Sequence, residues 1–131
     1  MLLAVSKATG RNCECIPDIA IALAGGMGAG EVCGAVAGGV LAIGLTYGEE
    51  YPEAVGVLTE EYMTKVTELE GSVRCTDIIG TDISGAMGAD SFRSIARIMW
   101  VFFVLGRKKN CKRVVRSTVQ VLLEQYEEWE K

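Results

Sequence analysis

Apolar residues recur at helical spacing along almost the whole chain, and this periodicity constrains the fold more than any other feature. It is clearest from Val55 to Leu69, where apolar side chains return every three or four residues and share one helix face. The run from Ile98 to Val104 is rich in β-branched and aromatic residues and also suits a strand, but no partner strand is visible. We therefore expect an all-α fold, a compact bundle of about five helices with glycine-rich connections, in a single domain over residues 1–131.

Glycine and proline predict where the helices begin and end. Proline is favoured in the first turn of a helix, as at Pro17 and Pro52, whereas glycine commonly follows the last turn, as at Gly71 and Gly80. The segment from Gly25 to Gly30 resembles a phosphate-binding loop, but no strand precedes it and no Gly-Lys-Ser/Thr follows, so a plain turn is favoured. The predicted helices are Ile16 to Ala24, Glu31 to Tyr47, Pro52 to Gly71, Cys75 to Ile79, Asp90 or Ser91 to Leu105, and Lys109 to Trp129, the last with a buried face of Cys111, Val115, Val119, Leu122, Tyr126 and Trp129.

The chain has no histidine, and this absence removes whole classes of active site. A Ser-His-Asp triad, a Cys-His dyad and every metal site that requires imidazole are excluded. A metal would have to be bound by cysteine, carboxylate or backbone oxygen. The net charge of −4 argues against a nucleic-acid partner, because nucleic acid favours a basic face.

Two segments bear on the compartment of the protein. The stretch from Met1 to Ser6 is too short for the apolar core of a signal peptide. The longest uncharged run, between Glu31 and Glu49, is just below the ~20 residues that a membrane span needs and is rich in glycine, which favours a buried core helix. We therefore expect a cytoplasmic protein without a membrane span, in which the cysteines are reduced and serve metal, redox or packing roles.

Three of the five cysteines are predicted to lie at helix starts. Cys33 lies in the first turn of the second predicted helix, Cys75 opens a short helical turn after Arg74, and Cys111 lies in the first turn of the last helix. The unpaired N–H groups of a helix start and nearby cations both stabilise a thiolate, which is the nucleophile and the metal ligand. Cys33, Cys75 and Cys111 are therefore the candidate catalytic thiols and metal ligands, and we expect them to converge in space.

Cys111 has the strongest electrostatic signal because it lies among Lys108, Lys109, Lys112 and Arg113. A helix normally favours acidic residues at its start and basic ones at its end, by ~0.3–1 kcal/mol per charge, and the last predicted helix reverses this order. A thiolate or an anionic ligand at the helix start would account for the reversal, and the pKa of Cys111 is then expected below ~8.5. The alternative is a packing cysteine surrounded by a solvated charged face.

The other cysteines and the glycines after Cys33 give weaker signals. Cys13 and Cys15 form a C-x-C pair that is able to ligate metal, whereas a thioredoxin-type C-x-x-C is absent. Gly34 and Gly38 lie in the second predicted helix, where each glycine costs up to ~1 kcal/mol relative to alanine. That cost is offset if another helix or a ligand approaches the backbone closely, so both are candidate cofactor contacts as well as packing positions.

The order of these motifs resembles that of a known family. The string CGAVAG from Cys33 to Gly38 is a CGAxxG motif, and it is followed by RCTD from Arg74 to Asp77 and by Cys111 at the start of a final helix. From about Gly25 onward the chain resembles the C_GCAxxG_C_C family, redox-active proteins of similar length with four cysteines and this motif. The resemblance implies redox activity, an iron–sulfur cluster or other thiolate-bound metal as prosthetic group, and an oxidoreductase or a transporter as partner.

The first cysteine of the family pattern is the one that this chain does not match directly. In the family it usually precedes an apolar helix like the stretch from Leu2 to Val5, which here begins at Met1. Either Cys13 or Cys15 supplies the fourth thiol, or the site holds three. We take Cys13 as the candidate fourth metal ligand.

Two functions are therefore compatible with the sequence. The first is a redox-active or metal-binding cysteine protein. The alternative is a structural or interaction protein with packing cysteines, accessory to a transporter or an oxidoreductase. In either case the apolar composition, 50% of residues, and the glycine-lined second helix favour a homo-oligomer, which we expect to be a dimer.

Overall fold

Helices dominate the part of the chain that the computed structural model describes, residues 2–10, 14–83 and 92–129. No strand occurs within these ranges, and the all-α prediction is confirmed. The described residues form seven α-helices against the expected bundle of about five, and the one without a counterpart among the predicted ranges is the short N-terminal helix. The helices are α1 Leu2–Thr9, α2 Ile16–Ala22, α3 Gly34–Tyr47, α4 Pro52–Glu70, α5 Cys75–Ile79, α6 Phe92–Met99 and α7 Lys108–Trp129.

The three longest helices, α3, α4 and α7, pack against one another around the main core. Tyr62 of α4 is fully buried there, and its hydroxyl donates a hydrogen bond to the backbone oxygen of Val36 at 3.3 Å. A Cβ at Gly39 of α3 would overlap this hydroxyl. The missing side chain at Gly39 therefore lets α3 and α4 approach closely, which offsets the low helix propensity of glycine.

The buried face of α7 differs from the predicted face by about one position. Val115 is 45% exposed, whereas Val114 is fully buried. The apolar pattern is misleading here because two polar residues are buried with hydrogen-bond partners: Thr118 donates to the backbone oxygen of Val115 at 3.0 Å, and Gln125 donates from Nε2 to that of Leu58 at 2.8 Å. The buried residues of α7 are Val114, Thr118, Val121, Leu122 and Gln125.

The segment after residue 91 is helical, as predicted, and not a strand. α6 continues into a wider π-helical stretch over Trp100–Val104, in which Val101 is buried. The predicted cap residues Asp90 and Ser91 lie outside the described residues. Among the helices of the described ranges, none combines the length and the apolarity that crossing a membrane requires.

A glycine-rich turn, Gly26–Gly30, links α2 to α3 and packs against the start of α5. Gly26 and Met27 both have positive φ, at 64° and 58°, a conformation that is uncommon for a residue with a side chain. A Cβ at Gly26 would lie 2.8 Å from the Cβ of Cys75. The predicted turn is therefore present, and its backbone approaches the second of the three candidate thiols.

Candidate functional site

Backbone pairing between two loops positions Cys33 and Cys75. The segments 31–33 and 73–75 run antiparallel and pair through an isolated bridge at their central residues. The N–H groups of Cys33 and Cys75 each donate to a backbone oxygen of the opposite segment, at 2.8 and 2.6 Å. This pairing keeps residues 31–33 extended, so α3 begins at Gly34 and not at the predicted position, and it places both cysteines on the same side of the paired loops.

Cys111 reaches the same region from the first turn of α7. The neighbouring Asn110 donates from Nδ2 to the backbone oxygen of Ile78 at 2.9 Å, which connects the start of α7 to α5. Cys111 then packs against a small buried cluster that contains Cys75 and Ile79. This side-chain hydrogen bond and apolar contacts thus bring the last cysteine to the cavity that the other two line.

The three thiols line one cavity of about 480 Å³. Cys33 and Cys75 are buried, with 8% and 6% of their surface exposed, whereas Cys111 is half-buried. All three are free cysteines. The structure therefore places the three predicted candidate thiols at one cavity, although more than 70 positions separate the first, Cys33, from the last, Cys111.

Burial controls the acidity of these thiols. It raises the pKa of Cys75 to about 11, and Cys33 and Cys111 add to this rise because a second negative charge nearby disfavours ionisation. The pKa of Cys111 is also raised, first by burial and then by Cys33, against the lowering effect of a backbone hydrogen bond. The raised pKa values of Cys75 and Cys111 therefore favour the neutral thiol over the thiolate at these two residues near neutral pH.

The predicted low pKa of Cys111 is wrong in direction. Lys109 and Lys112 are exposed to water, which screens their charges, and Arg113 donates from Nε to a carboxylate oxygen of Glu70 at 2.9 Å. The sequence shows that cations neighbour Cys111 in the chain. It does not show that α5 and the cavity wall bury the thiol, and this burial decides the pKa.

The two glycines predicted to contact a cofactor, Gly34 and Gly38, both line the cavity. A Cβ at Gly34 would overlap the backbone oxygen of Leu23, so the close approach of this backbone already accounts for that glycine. Gly38 is buried. A cofactor contact at either residue stays a prediction.

The N-terminal helices contribute cavity walls that the sequence does not predict. Leu2 and Leu3 of α1 and Ile16 of α2 line the cavity together with the thiols. The apolar stretch around Leu2 is the one signal for this in the sequence. Nothing in the order of residues shows that α1 packs on α3, as it does in the structure.

The arrangement of the thiols does not fit a metal ion as it stands. Within the described part of the chain, no three cysteine, aspartate or glutamate side chains are grouped so that they could hold one ion. Cys13, the predicted fourth ligand, lies outside the described residues. Cys15 is exposed and disulfide-bonded, which differs from the expectation that all cysteines are reduced. The metal roles predicted for Cys33, Cys75, Cys111 and Cys13 stay predictions.

Comparison with known proteins gives one informative match. Neither the curated proteins nor the solved structures contain a chain that matches this one. A family model described as "Putative redox-active protein (C_GCAxxG_C_C)" matches residues 1–125, which is nearly the whole chain and includes all of its cysteines. The protein therefore belongs to the C_GCAxxG_C_C family.

Proposed function

We propose that this protein carries out reversible dithiol–disulfide redox chemistry with Cys33, Cys75 and Cys111. The observation that supports this function best is the meeting of three free thiols at one cavity. A free cysteine often serves only as a small packing residue, but these three thiols border a space large enough for a small molecule. The family description, a putative redox-active protein, agrees with the proposal.

The exposures of the three thiols suggest an order of reaction. Cys111 is the most accessible, so it attacks a sulfur of the substrate disulfide, forms a mixed disulfide and releases the first substrate thiol. Cys33 or Cys75 then attacks the sulfur of Cys111, which closes an intramolecular disulfide and releases the second substrate thiol. Two protein thiols lose two electrons and two protons in total, and the substrate disulfide gains both.

Disulfide mapping tests this proposal. Reduced native protein is treated with diamide, a general thiol oxidant, and the products are digested and identified by mass spectrometry under non-reducing conditions. We expect an intramolecular disulfide that joins two of Cys33, Cys75 and Cys111, and we expect dithiothreitol to restore all three thiols. Three unmodified thiols, under conditions that oxidise the urea-unfolded chain, would support the alternative of packing cysteines and contradict the redox function.

Metal analysis separates the redox proposal from the metal prediction. A thiolate metal site would retain zinc or show iron–sulfur absorbance after anaerobic purification, and its thiols would resist alkylation until a chelator removes the metal. The dithiol function expects no stoichiometric metal and three thiols that titrate without a chelator. If the native protein retains stoichiometric metal and the Cys33→Ser, Cys75→Ser and Cys111→Ser variants lose it, the dithiol proposal is wrong and the metal-site prediction takes its place.

A further inference from the structure

The cavity that the three thiols share has no charged lining among the described residues. Its walls come from α1, α2, α3, α5, the π-helical stretch and α7, and the side chains on them are aliphatic, phenyl, glycine, proline or cysteine. A volume of about 480 Å³ lies within the range of small-molecule sites, ~300–1,000 Å³. The cavity is therefore large enough for a small molecule. Its side chains offer a ligand neither an opposite charge nor a charged hydrogen-bond donor.

We propose that the substrate of this cavity is an uncharged, apolar disulfide of low molecular weight, and that disulfides carrying carboxylates are excluded from it. This inference rests on the redox function proposed above and names its substrate class. A carboxylate moved from water into an apolar cavity loses its hydration, and here no cation of the described wall would compensate for that loss. An uncharged hydrocarbon group gains from the same transfer because it removes apolar surface from water.

The redox balance suits an uncharged substrate. Two neutral thiols of the protein become one disulfide, and one neutral disulfide becomes two neutral thiols, so two electrons and two protons move together. No net charge is left in the cavity at the end of the reaction, and the transient thiolate of each exchange step is the only charge that the walls must tolerate. A charged substrate would add a permanent charge to that transient one.

A second surface near Cys111 makes the inference testable. On its outer side, Cys111 borders an open groove of about 500 Å³ that also contains Lys108 and Lys112. The ammonium group of Lys108 lies 5.8 Å from the centre of the Phe103 ring. If substrates approached through this groove, the two lysines would favour anionic disulfides, which is the opposite charge preference.

Two aromatic disulfides of opposite character test the charge preference. One is 4,4′-dithiodipyridine, which is uncharged near neutral pH, and the other is 5,5′-dithiobis(2-nitrobenzoate), which carries two carboxylates. The reduced native protein is treated with each reagent, the reaction is quenched at intervals, and mass spectrometry gives the rate of modification at each cysteine. Each rate is then divided by the rate of the same reagent with the same cysteine in the urea-unfolded chain. We expect the neutral reagent to be favoured by about tenfold or more in the loss of the Cys111 thiol and of the thiol that resolves it, Cys33 or Cys75. Equal ratios, or a preference for the anionic reagent, would overturn the inference.

Charges placed at the cavity mouth provide a second test. Leu3 lines the cavity and is 50% exposed, so Leu3→Lys and Leu3→Glu are compatible with folding. We expect Leu3→Lys to raise and Leu3→Glu to lower the rate of the anionic reagent by several-fold, with little change for the neutral one. Val57→Lys, at an exposed site on α4, is the matched control and should change neither rate. A rate that responds to Lys112→Glu but not to Leu3→Glu would overturn the inference.

The outcomes distinguish this inference from the redox function itself. If diamide yields the intramolecular disulfide but the two reagents show no charge preference, the redox function stands and the substrate class is wrong. If neither reagent reacts with native protein while both react with the unfolded chain, both proposals are wrong.

Discussion

Cys75 links the packing of the site to its chemistry. Its N–H closes the pairing between the two loops, its side chain packs under the glycine-rich turn, and its thiol lines the cavity. Burial then makes the thiol a weak acid, with a pKa of about 11. This pKa lowers the thiolate fraction available for attack, so it is the buried position at the cavity, and not the acidity, that suits Cys75 to resolve a mixed disulfide there more than to attack a substrate from solution.

The raised pKa of Cys75 predicts a loss of stability at high pH. Because the folded pKa, about 11, lies above the ~8.5 of an unfolded thiol, the burial of the neutral thiol stabilises the fold fully below pH ~8.5 and this contribution is lost as the pH rises towards 11. In urea unfolding under reducing conditions, the unfolding free energy of the native sequence should fall by about 3 kcal/mol more than that of Cys75→Ala between pH 8 and pH 11. Identical pH profiles for the two proteins would contradict the burial of this thiol.

Gly26 and Gly28 form a matched pair for testing the turn. Both have positive φ, so alanine strains the backbone at either position by about 1 kcal/mol. A Cβ at Gly26 also collides with the backbone of Glu31 and with the Cβ of Cys75, whereas a Cβ at Gly28 meets open space. We expect Gly26→Ala to destabilise the protein by about 2 kcal/mol more than Gly28→Ala in urea unfolding, and to speed the alkylation of Cys75. Equal effects would show that the turn does not pack on the thiol.

At the scale of elements, the sequence predicts the end of a helix well where a local residue such as glycine determines it. It predicts the buried face of a helix less well, because contacts with other helices determine that face. α5 spans the predicted residues because Gly80, with φ of 69°, ends it in the left-handed conformation that glycine adopts easily. α3 starts later than predicted because the residues before it pair with a distant loop. The face of α7 is misassigned because a buried Gln125 with its partner on α4 looks like a surface residue in the sequence.

The register of α7 predicts different costs for two adjacent valines. Val114 is fully buried in the main core. Val115, the next residue, lines the cavity and is 45% exposed. Val114→Ala should cost about 2 kcal/mol of unfolding free energy. Val115→Ala should cost less than about 0.5 kcal/mol. The reverse order would restore the face predicted from the apolar pattern.

At the scale of the whole molecule, the sequence predicts which thiols meet but not what surrounds them. The CGAxxG string, the RCTD string and the last helix identify Cys33, Cys75 and Cys111 without structural information. The apolar walls from α1 and α2 depend on contacts between distant parts of the chain, and the pKa values depend on the burial that those contacts produce. Basic residues that neighbour a cysteine in the sequence therefore indicate where the site lies, but they do not indicate the pKa of its thiols.

An exposed apolar surface along α6 and the segment after it is the basis for expecting a dimer. Phe92, at 85% exposure, and Trp100, Phe103 and Leu105 present apolar side chains to solvent. Such an apolar surface favours association, and twofold association is the commonest form. We expect light scattering at micromolar concentration to give a dimer, and Trp100→Glu to shift it towards monomer while Val57→Glu does not. A monomeric native protein would contradict this expectation.

The number of free thiols at defined redox potential tests the central claim most directly. Native protein is equilibrated anaerobically in mixtures of reduced and oxidised dithiothreitol and, for higher potentials, of reduced and oxidised glutathione, then quenched with acid and alkylated, and the free thiols at Cys33, Cys75 and Cys111 are counted by mass spectrometry. Reversible dithiol chemistry predicts that two of the three disappear together, in one two-electron step that is the same from the reduced and the oxidised side. Three thiols at every mixture, or single thiols lost independently to mixed disulfides, would contradict it.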